Sequence, residues 1–169
     1  TEAVTFLRAD CFNDMSVHTF HAKQFLPIPL EKAWEFFSSP KNLSVITPPE
    51  MNFVITTKDL ADKTYAGQII AYRVSPLPGF RTTWVTEITH VNAPLFFVDE
   101  QREGPYTMWH HQHHFEAVDG GVLMTDIVNY AAPLGILGDL MNALIIRKKI
   151  QGIFDYRTKK LEALFGKPQ

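Results

Sequence analysis

Two side chains with complementary acid–base chemistry face each other across a predicted hairpin. Alternating runs of apolar and polar residues flank Asp119–Gly120, a strong signal for a two-residue turn. If Val118 pairs with Gly121, then His113 lies directly opposite Asp126. A carboxylate beside an imidazole can hold its tautomer and favour its charged form. Such a pair could act as a general acid–base catalyst.

The same residues admit three interpretations. In the first, His113 and Asp126 form a catalytic pair and Tyr130 supplies a hydrogen-bond donor. In the second, which we adopt, they form a polar pair that fixes strand register or orients a ligand. In the third, His111 joins them in a two-histidine, one-carboxylate metal site. The spacing permits such a site but does not require it, and we predict no bound metal.

Side chains alternate between the two faces of a strand, so the turn also predicts which residues share a side. We expect the aromatic face of the hairpin to be the interior. The residues on that face are Trp109, His111, His113, Phe115, Met124, Asp126, Val128 and Tyr130. His110 and His114 lie on the other face. The preceding strand carries Asp99 to Arg102, and one alternate pair of these could reach the interior.

The elements that position the hairpin follow from hydrophobic periodicity. Apolar residues at Leu30, Ala33, Trp34 and Phe37 have helical spacing, and a second short helix begins near Pro40. The last element, residues 137–165, is a long helix without proline. Strands are predicted at residues 17–26, 51–57, 67–75, 81–92, 95–103, 108–118 and 122–131. Short connections between the later strands predict an antiparallel sheet in an α+β fold.

Composition restricts the function classes. The chain has 169 residues with a net charge of −2, which gives no bulk attraction to nucleic acid. A lone cysteine, Cys11, suits a reducing cytoplasm, and we predict a cytoplasmic location. No apolar run is long enough for an integral membrane span. We assign residues 1–16 to an N-terminal extension or leader and residues 17–169 to one domain.

Several segments resemble the START-like, or SRPBCC, superfamily, whose members include birch-pollen allergen (Bet v 1-like) and polyketide cyclase relatives. The segments are residues 25–29 (FLPIP), 33–40 (AWEFFSSP), 42–43 with 46–49 (NL, ITPP), 104–105 (GP) before Trp109, and 126–130 (DIVNY) before Pro133. They are most similar to a bacterial subgroup of ligand-binding SRPBCC proteins, some of which are labelled cell division inhibitors. The resemblance implies the helix-grip fold, in which a curved sheet of about seven strands wraps around the long C-terminal helix and two short helices separate strands 1 and 2.

That resemblance implies a hydrophobic cavity between the sheet and the last helix, and a small apolar or aromatic ligand, including lipids, held for carriage, sequestration or sensing. No cofactor is implied, and we expect a monomer or weak homodimer. Two alternatives stay open: a cyclase, dehydratase or isomerase that uses His113 and Asp126, and a protein-interaction module. Apolar loops at residues 76–80 and 133–138 are candidates for the cavity mouth. The predicted lining residues are Trp84, Trp109, His111, His113, Phe115, Met124, Asp126, Val128, Tyr130, Leu144, Ile153 and Phe154, with Phe96 or Phe97 beside them.

Overall fold

The computed structural model describes residues 16–77 and 79–167. Seven antiparallel strands form one sheet, and their order across it, numbered along the chain with the ranges given below, is β1-β7-β6-β5-β4-β3-β2. The predicted extension therefore lies almost wholly outside the described residues, and its boundary stays a prediction. The strands are β1 (His18–Leu26), β2 (Val54–Ile55), β3 (Gln68–Leu77), β4 (Phe80–Asn92), β5 (Phe96–Glu103), β6 (Met108–Val118) and β7 (Gly121–Ala131). The helices are α1 (Leu30–Phe37), α2 (Gly135–Met141) and α3 (Arg147–Phe165), with 3-10 turns at Pro40–Ser44 and Pro49–Met51 and a π-helical segment at Asn142–Ile146.

The predicted α+β helix-grip architecture is confirmed, and two elements differ in detail. The second strand, predicted over residues 51–57, is only Val54–Ile55, because a 3-10 turn runs through Met51 and Asn52 adopts a left-handed conformation. The long helix begins two residues earlier than predicted. It is also interrupted, because the π-helical segment separates α2 from α3.

The hairpin register is as predicted. Val118 pairs with Gly121, His113 with Asp126 and, farther along, Trp109 with Tyr130. The aromatic face is the interior: the exposed fraction of Asp126 is only 1%. Alternation along the two strands was therefore sufficient to orient every side chain of this hairpin.

The packing of α3 on the sheet depends on four residues at helical spacing. Ile150, Phe154, Arg157 and Leu161 form the buried stripe of this helix. Leu161 joins a core cluster with residues of α1, whereas Ile150 and Phe154 pack with Phe20 of β1. A charged residue thus occupies a core position, and its partner is on the sheet.

At Gly121 the backbone of β7 lies too close to β1 to leave room for a side chain. A Cβ atom at this position would clash with the backbone carbonyl oxygen of Leu26 and lie 2.9 Å from the ring of Phe25. We expect Gly121→Ala to lower the free energy of unfolding by about 1–3 kcal/mol, as overpacking does. Urea denaturation would measure it.

The matched control is Gly152→Ala, on the exposed side of α3. No atom of the described residues outside this helix lies within 4 Å of a Cβ built there. Alanine should therefore raise the free energy of unfolding by about 0.5–1 kcal/mol, because glycine disfavours the helix interior. Equal destabilisation by both substitutions would show that the close approach at Gly121 is not what restricts that position.

Candidate functional site

Four titratable side chains on three adjacent strands converge on the inner face of the sheet. Asp99 of β5 lies directly across from His111 of β6, and His113 of β6 lies across from Asp126 of β7. Because residues two apart on a strand point the same way, all four project towards the C-terminal helix. From that helix Arg157 reaches down to them. We call these five residues the buried ionic cluster.

Each imidazole in the cluster lies between two carboxylates. His111 donates from Nε2 to Asp126 Oδ1 at 2.8 Å, and His113 donates from Nε2 to Asp99 Oδ2 at 2.8 Å. His113 Nδ1 lies 3.0 Å from Asp126 Oδ1, without the alignment of a hydrogen bond. His111 Nδ1 lies 3.6 Å from Asp99 Oδ2. The two rings are 3.7 Å apart between centroids, so the four groups form a compact alternating ring of acids and bases.

Arg157 connects this ring to the helix. Its Nη1 donates to Asp126 Oδ1 at 3.1 Å, and its guanidinium carbon lies 5.1 Å from the centre of the Phe154 ring. Oδ1 of Asp126 thus receives most of the contacts. Its Oδ2 is buried and has no hydrogen-bond partner among the residues that the structure describes. An unpaired buried carboxylate oxygen is costly and calls for a proton donor, a water or a cation.

The charges of the cluster balance when it holds one imidazole proton. Burial raises the pKa of Asp126, but the Arg157 charge and the close contacts with both histidines hold that pKa well below its usual value. Burial likewise opposes ionisation of Asp99, yet the bond from His113 lowers its pKa overall. Burial lowers the pKa of both histidines, and it leaves the pKa of His111 lowered, whereas the adjacent carboxylates of Asp126 and Asp99 raise the pKa of His113 overall. Two carboxylates, one guanidinium and one imidazolium therefore sum to zero.

The sequence placed three of the five cluster residues, His111, His113 and Asp126, on the inner face. The register confirms that His113 lies opposite Asp126, but the aligned hydrogen bond to Asp126 comes from His111. Asp99 is the residue of its strand that reaches the cluster, which the loop before β6 had left undecided. Arg157 was not predicted to take part, although it falls three residues after Phe154 and four before Leu161, within the buried stripe.

Most of the predicted lining residues lie in the interior, where they contact one another. Trp84 and Trp109 are 5.3 Å apart between ring centroids, and Tyr106, which was not predicted, lies 4.9 Å from Trp109 and 6.0 Å from Tyr130. We call these four residues the aromatic group. Val128 and Phe154 pack beside it, Phe115 and Met124 belong to the core near α1, Ile153 is half-buried, and Phe97 stacks on His113.

Leu144 is the exception and requires a correction. Its side chain is 61% exposed on the π-helical segment, so it does not line the interior in this structure. The buried stripe of α3 begins only at Ile150, after the π-helical segment that carries Leu144. Leu137 and Leu140 of α2 are also exposed, each by 56%.

Two surface depressions lie elsewhere. One, of about 390 Å³, is lined by residues such as Pro48, Phe53 and Arg81. The other, of about 430 Å³, lies beside Phe36 and Lys63. Neither includes a residue of the predicted lining set.

The two apolar loops that we expected at a cavity mouth do expose apolar side chains. Phe80 is 54% and Leu134 is 69% exposed. The side chain of Leu77 lies outside the described part. Among the described helices, none is both long and apolar enough to cross a membrane.

Comparison with known proteins identifies the fold. No protein-family model matches the sequence, and no curated protein matches it. Solved structures do match. Protein Ms6760 from Mycobacterium smegmatis is 19% identical with a TM-score of 0.62, over 89% of this chain and 98% of that chain. Major latex-like protein 151 from Panax ginseng is 13% identical with a TM-score of 0.65, over 88% and 97%. Ara h 8.0201 is 16% identical with a TM-score of 0.55, over 88% and 99%. The chain therefore has a Bet v 1/SRPBCC-like fold.

Proposed function

We propose that this chain, with its Bet v 1/SRPBCC-like fold, binds a small, mainly apolar or aromatic molecule between the sheet and the C-terminal helix. Its role would be carriage, sequestration or sensing. Ligand sites of this kind combine apolar and aromatic walls with a few polar groups that set orientation. The aromatic group would supply the wall, and the buried ionic cluster would supply the polar end.

One observation carries the proposal. Trp84 is only 8% exposed, and its indole nitrogen is buried without a hydrogen-bond partner among the described residues. A buried indole N–H ordinarily finds an acceptor. On the neighbouring strand, Oε1 of Gln68 is also buried without a partner there. A bound molecule with an acceptor would complete the indole N–H, whereas Gln68, which pairs with Ile88, is a separate unpaired group farther along the sheet.

The helix above the sheet supports the same reading. The buried stripe of α3 begins at Ile150, whereas Leu137, Leu140 and Leu144 on the preceding helical segments face solvent. Exposed apolar residues in a row often mark a binding surface. A rotation of this segment would open the interior, and a bound apolar molecule would then give its leucines something to contact.

Binding without covalent change fits this geometry better than acid–base catalysis. Both nitrogens of His113 lie within 3.0 Å of carboxylate oxygens, so neither is directed at a substrate. The catalytic roles suggested for His113, Asp126 and Tyr130 therefore stay predictions. Turnover would require one of these contacts to open first.

The test is a binding measurement with a matched pair of tryptophan variants. We expect native mass spectrometry of protein purified from its own host to show a retained small molecule. We also expect saturable, one-to-one binding of an anilinonaphthalene sulfonate dye to the folded protein. Trp84→Phe removes the N–H but keeps an aromatic ring, and should weaken dye binding by about 2–10-fold, the value of one hydrogen bond.

Trp34→Phe is the control. Trp34 lies on α1 against Phe97 and Phe115, outside the aromatic group. Its replacement should leave dye binding unchanged. The proposal is rejected if no molecule is retained and the dye does not saturate, or if both variants weaken binding equally.

A further inference from the structure

We propose that Asp99, His111 and His113 form a binding site for one divalent transition-metal ion, because Asp99 Oδ2 lies beside both His113 Nε2 and His111 Nδ1 on the inner face of the sheet. The site goes beyond the apolar ligand proposed above and does not depend on it. It also reverses our expectation that the chain binds no metal.

The spacing of the three atoms suits an ion. Asp99 Oδ2 lies 2.8 Å from His113 Nε2 and 3.6 Å from His111 Nδ1. One ligand atom from each of the three residues lies within 4.8 Å of the others. Metal–ligand bonds of about 2.0–2.2 Å place ligand atoms roughly 3.0–3.6 Å apart. The two distances from Asp99 Oδ2 are therefore already close to those around one ion, and the two imidazole rings would adjust to complete the set.

The opposite edges of both imidazoles are already held as metal ligands require. A ligating histidine usually donates its other ring N–H to a carboxylate, which fixes the tautomer and orients the ring. Asp126 is placed to do this for both rings, since its Oδ1 lies 2.8 Å from His111 Nε2 and 3.0 Å from His113 Nδ1. Arg157 holds Asp126 in turn at 3.1 Å. The cluster thus contains both an inner set of ligands and the outer set that orients them.

The unpaired oxygen of Asp126 is an independent indication that the cluster is incomplete. Its Oδ2 is buried and has no partner among the described residues, so the cluster lacks at least one hydrogen-bond donor. The charge balance of the cluster also favours a bound cation. A divalent ion in place of the imidazole proton would leave the cluster with one positive charge, which suits hydroxide or a ligand carboxylate at an open position.

The donor atoms also select the class of ion. Two imidazoles and one carboxylate suit zinc, iron(II), cobalt(II) and similar metals, whereas magnesium and calcium prefer all-oxygen sites. Access is easiest from the side of Asp99, whose side chain is 16% exposed, compared with 8% for His111 and 6% for His113.

The experiment measures metal binding directly and uses no apolar ligand. Tag-free full-length protein, stripped with chelator, would be titrated with Zn²⁺ by calorimetry and with Co²⁺ by absorption spectroscopy. We expect one ion per chain and Co²⁺ bands typical of nitrogen and oxygen ligands. Asp99→Asn should weaken binding by at least tenfold, because even the loss of an outer partner costs that much in metal sites.

His114→Gln is the matched control. His114 lies on the same strand as His113 but on the outer face, where its Nε2 contacts Gln112. Its metal affinity should equal that of the original protein. Magnesium should not bind with measurable affinity. Circular dichroism would establish that each variant is folded.

Two outcomes would overturn the metal site. One is the absence of stoichiometric Zn²⁺ and Co²⁺ binding by the unmodified protein, which needs no variant and is unaffected by folding defects. The other is binding that survives in Asp99→Asn but is lost in His114→Gln, which would place the ion on the outer face. Neither result bears on dye binding, so this proposal and the ligand proposal can fail separately.

Discussion

Replacing Asp126 by alanine should lower the free energy of unfolding by about 3–5 kcal/mol, the usual cost of breaking a buried ion pair on one side. Asp126 is 1% exposed, and it accepts hydrogen bonds from His111 and Arg157. Without it, the guanidinium of Arg157 would be left almost fully buried and uncompensated. Urea denaturation in chelator-containing buffer would measure the loss without a contribution from bound metal.

A double-mutant cycle separates the ion pair from the rest of the site. Arg157→Met alone should also destabilise, but the double variant should lose clearly less than the sum of the two single losses, because it leaves no unpaired charge between them. Asp155→Ala, on the exposed side of α3, is the control and should change stability by no more than about 0.5 kcal/mol. A loss below about 1 kcal/mol for Asp126→Ala would contradict the structure of the cluster.

The second large effect is expected at Leu161. Its side chain is 0% exposed and packs into the core cluster that includes residues of α1. Leu161→Ala should cost about 2–5 kcal/mol, from lost burial and from the cavity that remains. Thermal or urea unfolding would measure it, and the dye-binding site should be unaffected because Leu161 is not part of the aromatic group.

Leu144 provides the comparison within the same C-terminal helical run. Since it is 61% exposed, Leu144→Ala should change the free energy of unfolding by no more than about 0.5 kcal/mol. If Leu144→Ala proves as costly as Leu161→Ala, the orientation of the π-helical segment is wrong. Our first expectation for Leu144 would then be restored.

The relative positions of residues close in the chain were predictable, because turn type and strand alternation fix them. The turn at Asp119–Gly120 set the pairing of β6 with β7, and alternation then placed His111, His113 and Asp126 on the inner face. A one-residue shift in the register of one strand would have turned the side chains of that strand to the outer face, so the prediction was specific. The helix-grip fold followed from the order of the elements together with the resemblance.

Residues joined only by the tertiary structure were not predictable in the same way. The loop between β5 and β6 is long enough to allow several registers, and only the assembled sheet placed Asp99 across from His111. No role was assigned to Arg157 from the sequence. Its burial appears only when α3 is laid on the sheet, because Asp126 is there to compensate it.

The sequence by itself thus determined the type and order of the main elements, the hairpin register and the inward face that carries two histidines and a carboxylate. It could do so because turn chemistry and side-chain periodicity act over a few residues. Only the tertiary structure decided that Asp99 and Arg157 complete the cluster and that Leu144 points to solvent. Those outcomes depend on how β5 pairs and on how the C-terminal helical run lies against the sheet. Both are set by packing between elements far apart in the chain.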